Sequence, residues 1–250
     1  MIPILDIGPF HISSYFLVIS LSLTILMIYL SKRVDTFNKN RKVAFDLALI
    51  LMVAGFTGGR LLHVFYEEWP YYRQHPEQVL FFWNGGFVFL GGLLMCLLVG
   101  FVYAKIKKLN FGEWADFFTP LFSLSHALGR IGCLLSGCCF GSYCTMPWAL
   151  EGRHPTALYL IFGESFIFLL MLMFEQQQVY KRPGFLFAKW LLFHSLLRLN
   201  VEYFRDDFRG VFINIPLLGS LSVSQVISLA IIAGTLCFFY IKREKSPIQS

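Results

Sequence analysis

Apolar residues in this chain come in long runs separated by short polar breaks, near 11–30, 44–66, 87–104, 115–137, 156–174, 184–204 and 222–241. Each run approaches the roughly 20 residues that a helix needs to cross about 30 Å of hydrocarbon. The pattern predicts an all-α polytopic membrane protein with seven transmembrane helices, forming one domain over residues 1–250. The second run holds Gly58, Gly59 and Arg60, the fourth Arg130 and the sixth Arg198. Such residues within a span face protein or water rather than lipid. The connections at 67–86 and 205–221 are long enough for a short re-entrant or interfacial helix, with Trp69, Tyr71, Tyr72 and Trp83 suited to the headgroup level.

Composition agrees with this reading: 56% hydrophobic, 18% aromatic and 14% charged residues over 250 positions lie far from soluble usage. The opening "MIPILDIGPF" carries an aspartate and no basic residue, so the first run reads as a retained helix rather than a signal peptide. Charge then sets orientation. The basic clusters (Lys32, Arg33, Lys39, Arg41, Lys42; Lys105, Lys107, Lys108; Lys181, Arg182; Lys242, Arg243, Lys245) all follow odd-numbered runs. Basic loops stay cytoplasmic, which puts the N-terminus outside and the C-terminus inside. The net charge of +6 is explained by topology, and nucleic acid is excluded as a partner.

That topology gathers arginines near the outer face. Arg130 lies in the outer part of the fourth run, and Arg60 near the outer end of the second. Arg198, Glu202 and Arg205 share one helical face, and "RHPT" (Arg153–Thr156) opens the fifth run on the same side. Arginine offers a planar fork suited to phosphate, and the abundant anion of the outer leaflet is a phospholipid headgroup. Mutual pairing that tethers helices is the bland alternative. His126 and His194 stand one turn before Arg130 and Arg198, in reach of a proton-transfer role.

The segment "GRIGCLLSGCCFGSYC" concentrates Cys133, Cys138, Cys139 and Cys144 in a C-x4-C-C-x4-C pattern. On the outer face one or two disulfides are the expectation, whereas zinc usually takes C-x2-C spacing, so no metal and no cofactor is expected. Ser125, Gly129, Cys133, Gly137 and Gly141 recur every four residues as a small-residue stripe for close helix packing. Cys96 and Cys237 read as apolar packing residues.

Taken in order, "GGRLLHVFYE", "WNGGFVFLGGL", "ALGRIGCLLSGCCFG", "RHPTALYL", "RPG" and "LLRLNVEYFRDD" resemble the prolipoprotein diacylglyceryl transferase family over nearly the whole length. The resemblance implies a seven-helix enzyme of the bacterial cytoplasmic membrane, its active site toward the periplasm or outer face. Such an enzyme moves the diacylglyceryl group of phosphatidylglycerol onto the cysteine thiol of a lipobox-containing secreted prolipoprotein. It implies Arg130 and Arg198 at the lipid phosphate, Glu202 and Arg205 as a supporting ion pair, and Gly141 and His154 at family positions; Arg60 joins the substrate-binding set.

Several positions depart from the family pattern. Leu90 stands for a histidine, Cys133 and Ser136 for asparagines, Cys138 for a glutamate and His194 for a tyrosine, and an N-terminal tyrosine is replaced near Ser13. Cys138 and Cys139 therefore stand as candidate thiols, and His194 as a candidate for proton transfer. Two other functions stay open: a paralogous envelope lipid or acyl transferase with another acceptor or an enzyme-cysteine intermediate, and a non-catalytic phospholipid-binding relative.

Overall fold

A computed structural model describes residues 4–7, 10–81, 86–176, 182–206, 212–215 and 219–244. Among them run the hairpin β1 (Ile4–Ile7) and β2 (Phe10–Ser13), then α1 (Ser14–Thr36), α2 (Arg41–Leu62), the short α3 (Trp69–Gln74) and α4 (Phe89–Ile106). They are followed by α5 (Phe111–Ser136), α6 (Thr156–Gln176), α7 (Phe185–Glu202), the hairpin β3 (Phe212–Ile215) and β4 (Gly219–Ser222), and α8 (Val223–Glu244). Every apolar run of the sequence carries a helix. Among the described residues four helical stretches are long and apolar enough to cross a membrane: Ser14–Thr36, Arg41–Glu67, Thr156–Gln176 and Val223–Lys242. The protein is therefore a helical membrane protein.

Two expectations are corrected. The first run does not begin as helix, because residues up to Ser13 pair as an antiparallel hairpin with Ile4 opposite Ser13. The 205–221 connection holds a strand hairpin, Phe212 opposite Ser222, rather than a short helix. In the 67–86 connection α3 and a 3₁₀ turn at Pro76–Leu80 do appear, each with proline in its first turn; Trp83 lies outside the described residues.

The chain divides into two compact units, Leu30–Phe111 and the remainder. In the first, Asn40 caps α2 by accepting a bond from Val43 N at 3.1 Å, and α2 meets α4 along glycines. A Cβ on Gly58 would collide with the Gly91 carbonyl, and one on Gly92 would lie 2.9 Å from the Gly55 carbonyl. Backbones approach this closely only where side chains are absent.

In the other unit, α5, α6 and α7 surround a core of Ile167, Met171, Leu186 and Trp190, with Phe122 and Phe187 against it. Contacts of Glu164 with His194 and of Phe174 with Lys189 make α6 and α7 antiparallel. Contacts of Asp116 with Phe187, Phe122 with Trp190 and His126 with His194 make α5 and α7 parallel. Their register is set at the start of α7. Gly184, left-handed at φ +90°, precedes the helix, and the Asp116 carboxylate of α5 accepts from Gly184 N at 2.7 Å and Phe187 N at 2.8 Å. A carboxylate there satisfies orphan N–H groups and the positive end of the helix dipole. Helix α8 starts with a capping box: Ser222 N donates to Gln225 Oε1 at 2.9 Å and Gln225 N to Ser222 Oγ at 3.2 Å.

Candidate functional site

The parallel register of α5 and α7 places Arg130 and Arg198 at equivalent levels, each one turn beyond a histidine. Below them the two rings lie 4.9 Å apart, edge to face, and converge on the fully buried Glu164 of α6. Glu164 Oε1 lies 2.5 Å from His194 Nδ1 and 3.2 Å from His126 Nδ1. Ser123 donates to Glu164 Oε2 at 3.1 Å and to its main-chain carbonyl at 2.9 Å. Indole Trp190 stacks on His194 at 5.2 Å. A buried carboxylate inside a membrane span is costly unless its acceptors are used, and here both oxygens are.

Arg130 rises from this layer. Its Nη2 is 3.4 Å from His126 Nε2 and its Nη1 is 3.9 Å from Cys133 Sγ. With Nδ1 of His126 turned to the carboxylate, Nε2 is the nitrogen left to accept from the guanidinium. No carboxylate among the described residues lies within ion-pair distance of Arg130, so its charge is met only by neutral groups at long range. Arg198 is held more firmly: its Nη2 donates to Glu202 Oε2 at 3.1 Å and to Ser224 Oγ at 2.9 Å. Glu202 Oε1 in turn accepts from the Ser222 hydroxyl at 2.7 Å. The capping box of α8 thus ties down the arginine of α7.

Beyond α5 the chain turns sharply at Gly137 (φ +72°), as helix C-termini commonly do. The segment after it is laced to the end of α7. Gly141 bridges Arg205, Gly141 N donates to His154 O at 2.8 Å and Ser142 N to Phe204 O at 2.9 Å. A Cβ on Gly141 would collide with the Phe204 carbonyl and with His154, so this glycine is required by close backbone approach. His154 Nδ1 meets Tyr159 Oη at 3.0 Å and its ring packs 4.9 Å from Phe204. Arg153 spans Asp206 at 3.6 Å and the face of Tyr143 at 4.0 Å.

All six cysteines are free thiols, so the disulfides expected from the outer-face spacing are not formed. Cys133, Cys138 and Cys139 instead bring their sulfurs within 4.8 Å of one another. Hydrogen bonds with the Cys133 and Cys138 thiols, joined by the charges of Arg205 and Arg130, pull the Cys139 thiol below its ordinary range. The small-residue stripe is also corrected. Helix α5 ends at Ser136, before Gly137 and Gly141, and a Cβ on Gly129 would meet nothing within 4 Å. The close approach falls at Gly132, where an added Cβ would lie 3.0 Å from the Tyr15 ring.

The structure thus brings Arg130, Cys138, Cys139, His194, Arg198, Glu202, Gly141, His154 and Arg205 into one unit. Arg60 belongs to the other unit, and its guanidinium is engaged by backbone. Nε donates to Val79 O at 3.2 Å, Nη1 to Gly86 O at 3.3 Å, and Nη2 to Gln78 O at 2.8 Å and Phe81 O at 3.3 Å. The ring of Tyr72 lies 5.2 Å away. A fork spent on four carbonyls fastens a connection, which is a different task from gripping a phosphate. Sequence reasoning missed Glu164, although a lone acid in "IFGESFIF" is costly enough to be a signal. It also did not single out Tyr15, whose phenol lies within electrostatic range of Arg130 and Cys133.

Fold and site together define a helical membrane protein with arginines held over a buried histidine–carboxylate layer. The sequence profile described as "Prolipoprotein diacylglyceryl transferase" matches residues 3–241. A protein of Nostoc sp. named phosphatidylglycerol–prolipoprotein diacylglyceryl transferase is 30% identical over 268 residues, covering 98% of this chain and 91% of that relative. Relatives of the same name from Bordetella avium (30% over 259 residues, 98% and 96% covered) and Clostridioides difficile (31% over 210 residues, 82% and 81% covered) match similarly. The chain belongs to the prolipoprotein diacylglyceryl transferase family.

Proposed function

We propose that this protein transfers the diacylglyceryl group of phosphatidylglycerol to the lipobox cysteine of a secreted prolipoprotein, at the outer face of the bacterial cytoplasmic membrane. The observation that carries the reading is Arg130 and Arg198 at equivalent levels of parallel helices, with no carboxylate among the described residues within ion-pair distance of Arg130. In the reaction the acceptor sulfur forms a bond to the terminal glyceryl carbon as that carbon's bond to the phosphate oxygen breaks. The electron pair leaves with glycerol phosphate, and the thiol proton is taken up by the phosphate monoester so released. Charge builds on the leaving phosphate, where preorganised guanidiniums are worth most. Arg198, clamped by Glu202 and Ser224, supplies a fixed donor, and Arg130, oriented through His126 by Glu164, supplies one whose charge is available. His194, buried against Glu164, positions this layer; His154, Gly141 and Arg205 shape the segment that bears the cysteines.

In this reading all seven long helices cross the membrane as one domain, N-terminus outside and C-terminus cytoplasmic. At 1.5 Å per residue, α5 and α7 span about 39 and 27 Å, and the polar residues that lower their apolarity include His126, Arg130, His194 and Arg198 of the site. The basic loops support the orientation. An enzyme-cysteine intermediate is not adopted: a diacylglyceryl thioether on Cys138 or Cys139 would need an alkyl thiolate to leave from carbon, so it would be a product rather than an intermediate. The cysteines at family asparagine and glutamate positions favour, as a second reading, an acceptor other than the usual lipobox peptide. Complementation of a strain depleted of its standard transferase separates the two. Restored growth supports the first reading; no growth despite full-length, membrane-inserted protein contradicts it.

A further inference from the structure

The Cys133, Cys138 and Cys139 sulfurs converge from two different backbone segments, the last turn of α5 and the loop that follows it. Adjacent residues in extended chain send their side chains to opposite faces, yet Cys138 and Cys139 both turn toward Cys133, with their sulfurs 3.5 Å apart. Cys139 achieves this at φ +64°, a left-handed conformation that costs a non-glycine residue of order 1 kcal/mol. All three sulfurs fall within 4.8 Å. A metal with bonds of about 2.3 Å to sulfur would hold three thiolates about 4 Å apart, so the trio already stands near ligand spacing.

We propose that Cys133, Cys138 and Cys139 form a three-thiolate site for a thiophilic closed-shell ion, Zn(II) or Cu(I). Three neighbouring thiolates repel one another, and a cation at their centre removes that cost. The remaining negative charge faces cationic neighbours: Arg130 Nη1 lies 3.9 Å from Cys133 Sγ, and Arg205 and Arg130 both act on Cys139. Soft sulfur donors select these ions over magnesium or calcium. Cys138 is exposed and gives the ion a way in, and the Ser136 hydroxyl, 3.4 Å from Cys138 Sγ, orients that ligand from outside the coordination shell. Cys144 is not part of the trio. The spacing C-x4-C-C does not match usual zinc signatures, which is why the sequence alone argued against a metal. The inference goes beyond the transfer chemistry, in which the three thiols take no part, and shares with it only the neighbouring Arg130 and Arg205.

The test uses full-length protein in detergent, reduced, stripped with a chelator and kept anaerobic. Zn(II) and Cu(I) are titrated separately against a chromophoric competitor for each ion. One ion binds at one equivalent per chain, and the two arms tell which. Cys133→Ser, Cys138→Ser and Cys139→Ser each weaken binding more than about 100-fold, beyond the 10–100-fold that losing an outer-shell partner produces; Cys144→Ser leaves it unchanged. A second readout needs no variant: in wild-type protein the bound ion shields Cys133, Cys138 and Cys139 from maleimide, seen by peptide mass spectrometry, while Cys144 stays reactive. Absence of stoichiometric binding by both ions, equal binding after loss of any of the three cysteines, or unaltered labelling of the trio overturns the proposal.

Discussion

Replacing Gly141 by alanine is the most local way to disturb the site without touching a charge. The added Cβ has no room: it would overlap the Phe204 carbonyl and His154, groups held by backbone rather than by flexible side chains. Something must therefore shift. Overpacking of this kind costs about 1–3 kcal/mol, and it strains the bonds from Gly141 N to His154 O (2.8 Å) and Ser142 N to Phe204 O (2.9 Å), worth about 1 kcal/mol each. A local opening made easier by about 1.4–3 kcal/mol raises amide exchange roughly 10- to 150-fold. Hydrogen–deuterium exchange of the Gly141→Ala protein should show this increase at Gly141, Ser142 and His154, with the core amides around Met171 and Leu186 unchanged. Transfer activity should fall with it, because the same segment bridges Arg205 at the end of α7, the helix that carries Arg198. Wild-type exchange at those three amides would refute the argument that the glycine is there for close approach.

Arg130→Lys should lower turnover about 100-fold or more while the unfolding temperature holds, since a point charge cannot reproduce the fork and the partners of Arg130 among the described residues are neutral and at long range; steady-state kinetics and a thermal melt in detergent check both halves. Asp116→Ala should cost about 1–2 kcal/mol by uncapping α7, lowering the melting midpoint by about 2–8 °C, and an unchanged midpoint would remove Asp116 from the account. Glu164→Ala removes the carboxylate that faces both histidine Nδ1 groups, at about 1–3 kcal/mol each, while Ser123 keeps its bond to the main-chain carbonyl of residue 164, so denaturant unfolding should show a loss of about 2 kcal/mol or more. Arg60→Ala should make residues 76–81 more susceptible to proteolysis by freeing the carbonyls of Gln78, Val79 and Phe81, yet leave the KM for phosphatidylglycerol within about 2-fold.

The helices were legible because hydrocarbon thickness dictates their length, and that constraint acts on composition alone. The hairpins were not: four-residue strands inside polar connections or at the edge of an apolar run leave no periodic trace. Arg130, Arg198 and Glu202 could be singled out as costly charges, but partners are a tertiary property. Arg60 looks the same in sequence as Arg130, and only the carbonyls of Gln78, Val79, Phe81 and Gly86 separate the two. The His126–Glu164–His194 layer draws one residue from each of three helices, and its assembly depends on the Asp116 cap that fixes α7 beside α5. The cysteines misled because spacing reports order along the chain, whereas the turn at Gly137 and the left-handed Cys139 decide which sulfurs meet.

The account centres on Arg130 and Arg198 gripping the phosphate that leaves as the thiol is alkylated. Its most direct test incubates purified protein with phosphatidylglycerol and a lipobox peptide, and measures diacylglyceryl peptide and free glycerol phosphate together. The account predicts equal amounts of both products from the wild-type chain, and loss of both when either arginine becomes lysine. No lipidated peptide under conditions where a standard family enzyme is active, or product formation indifferent to Arg130 and Arg198, would contradict it.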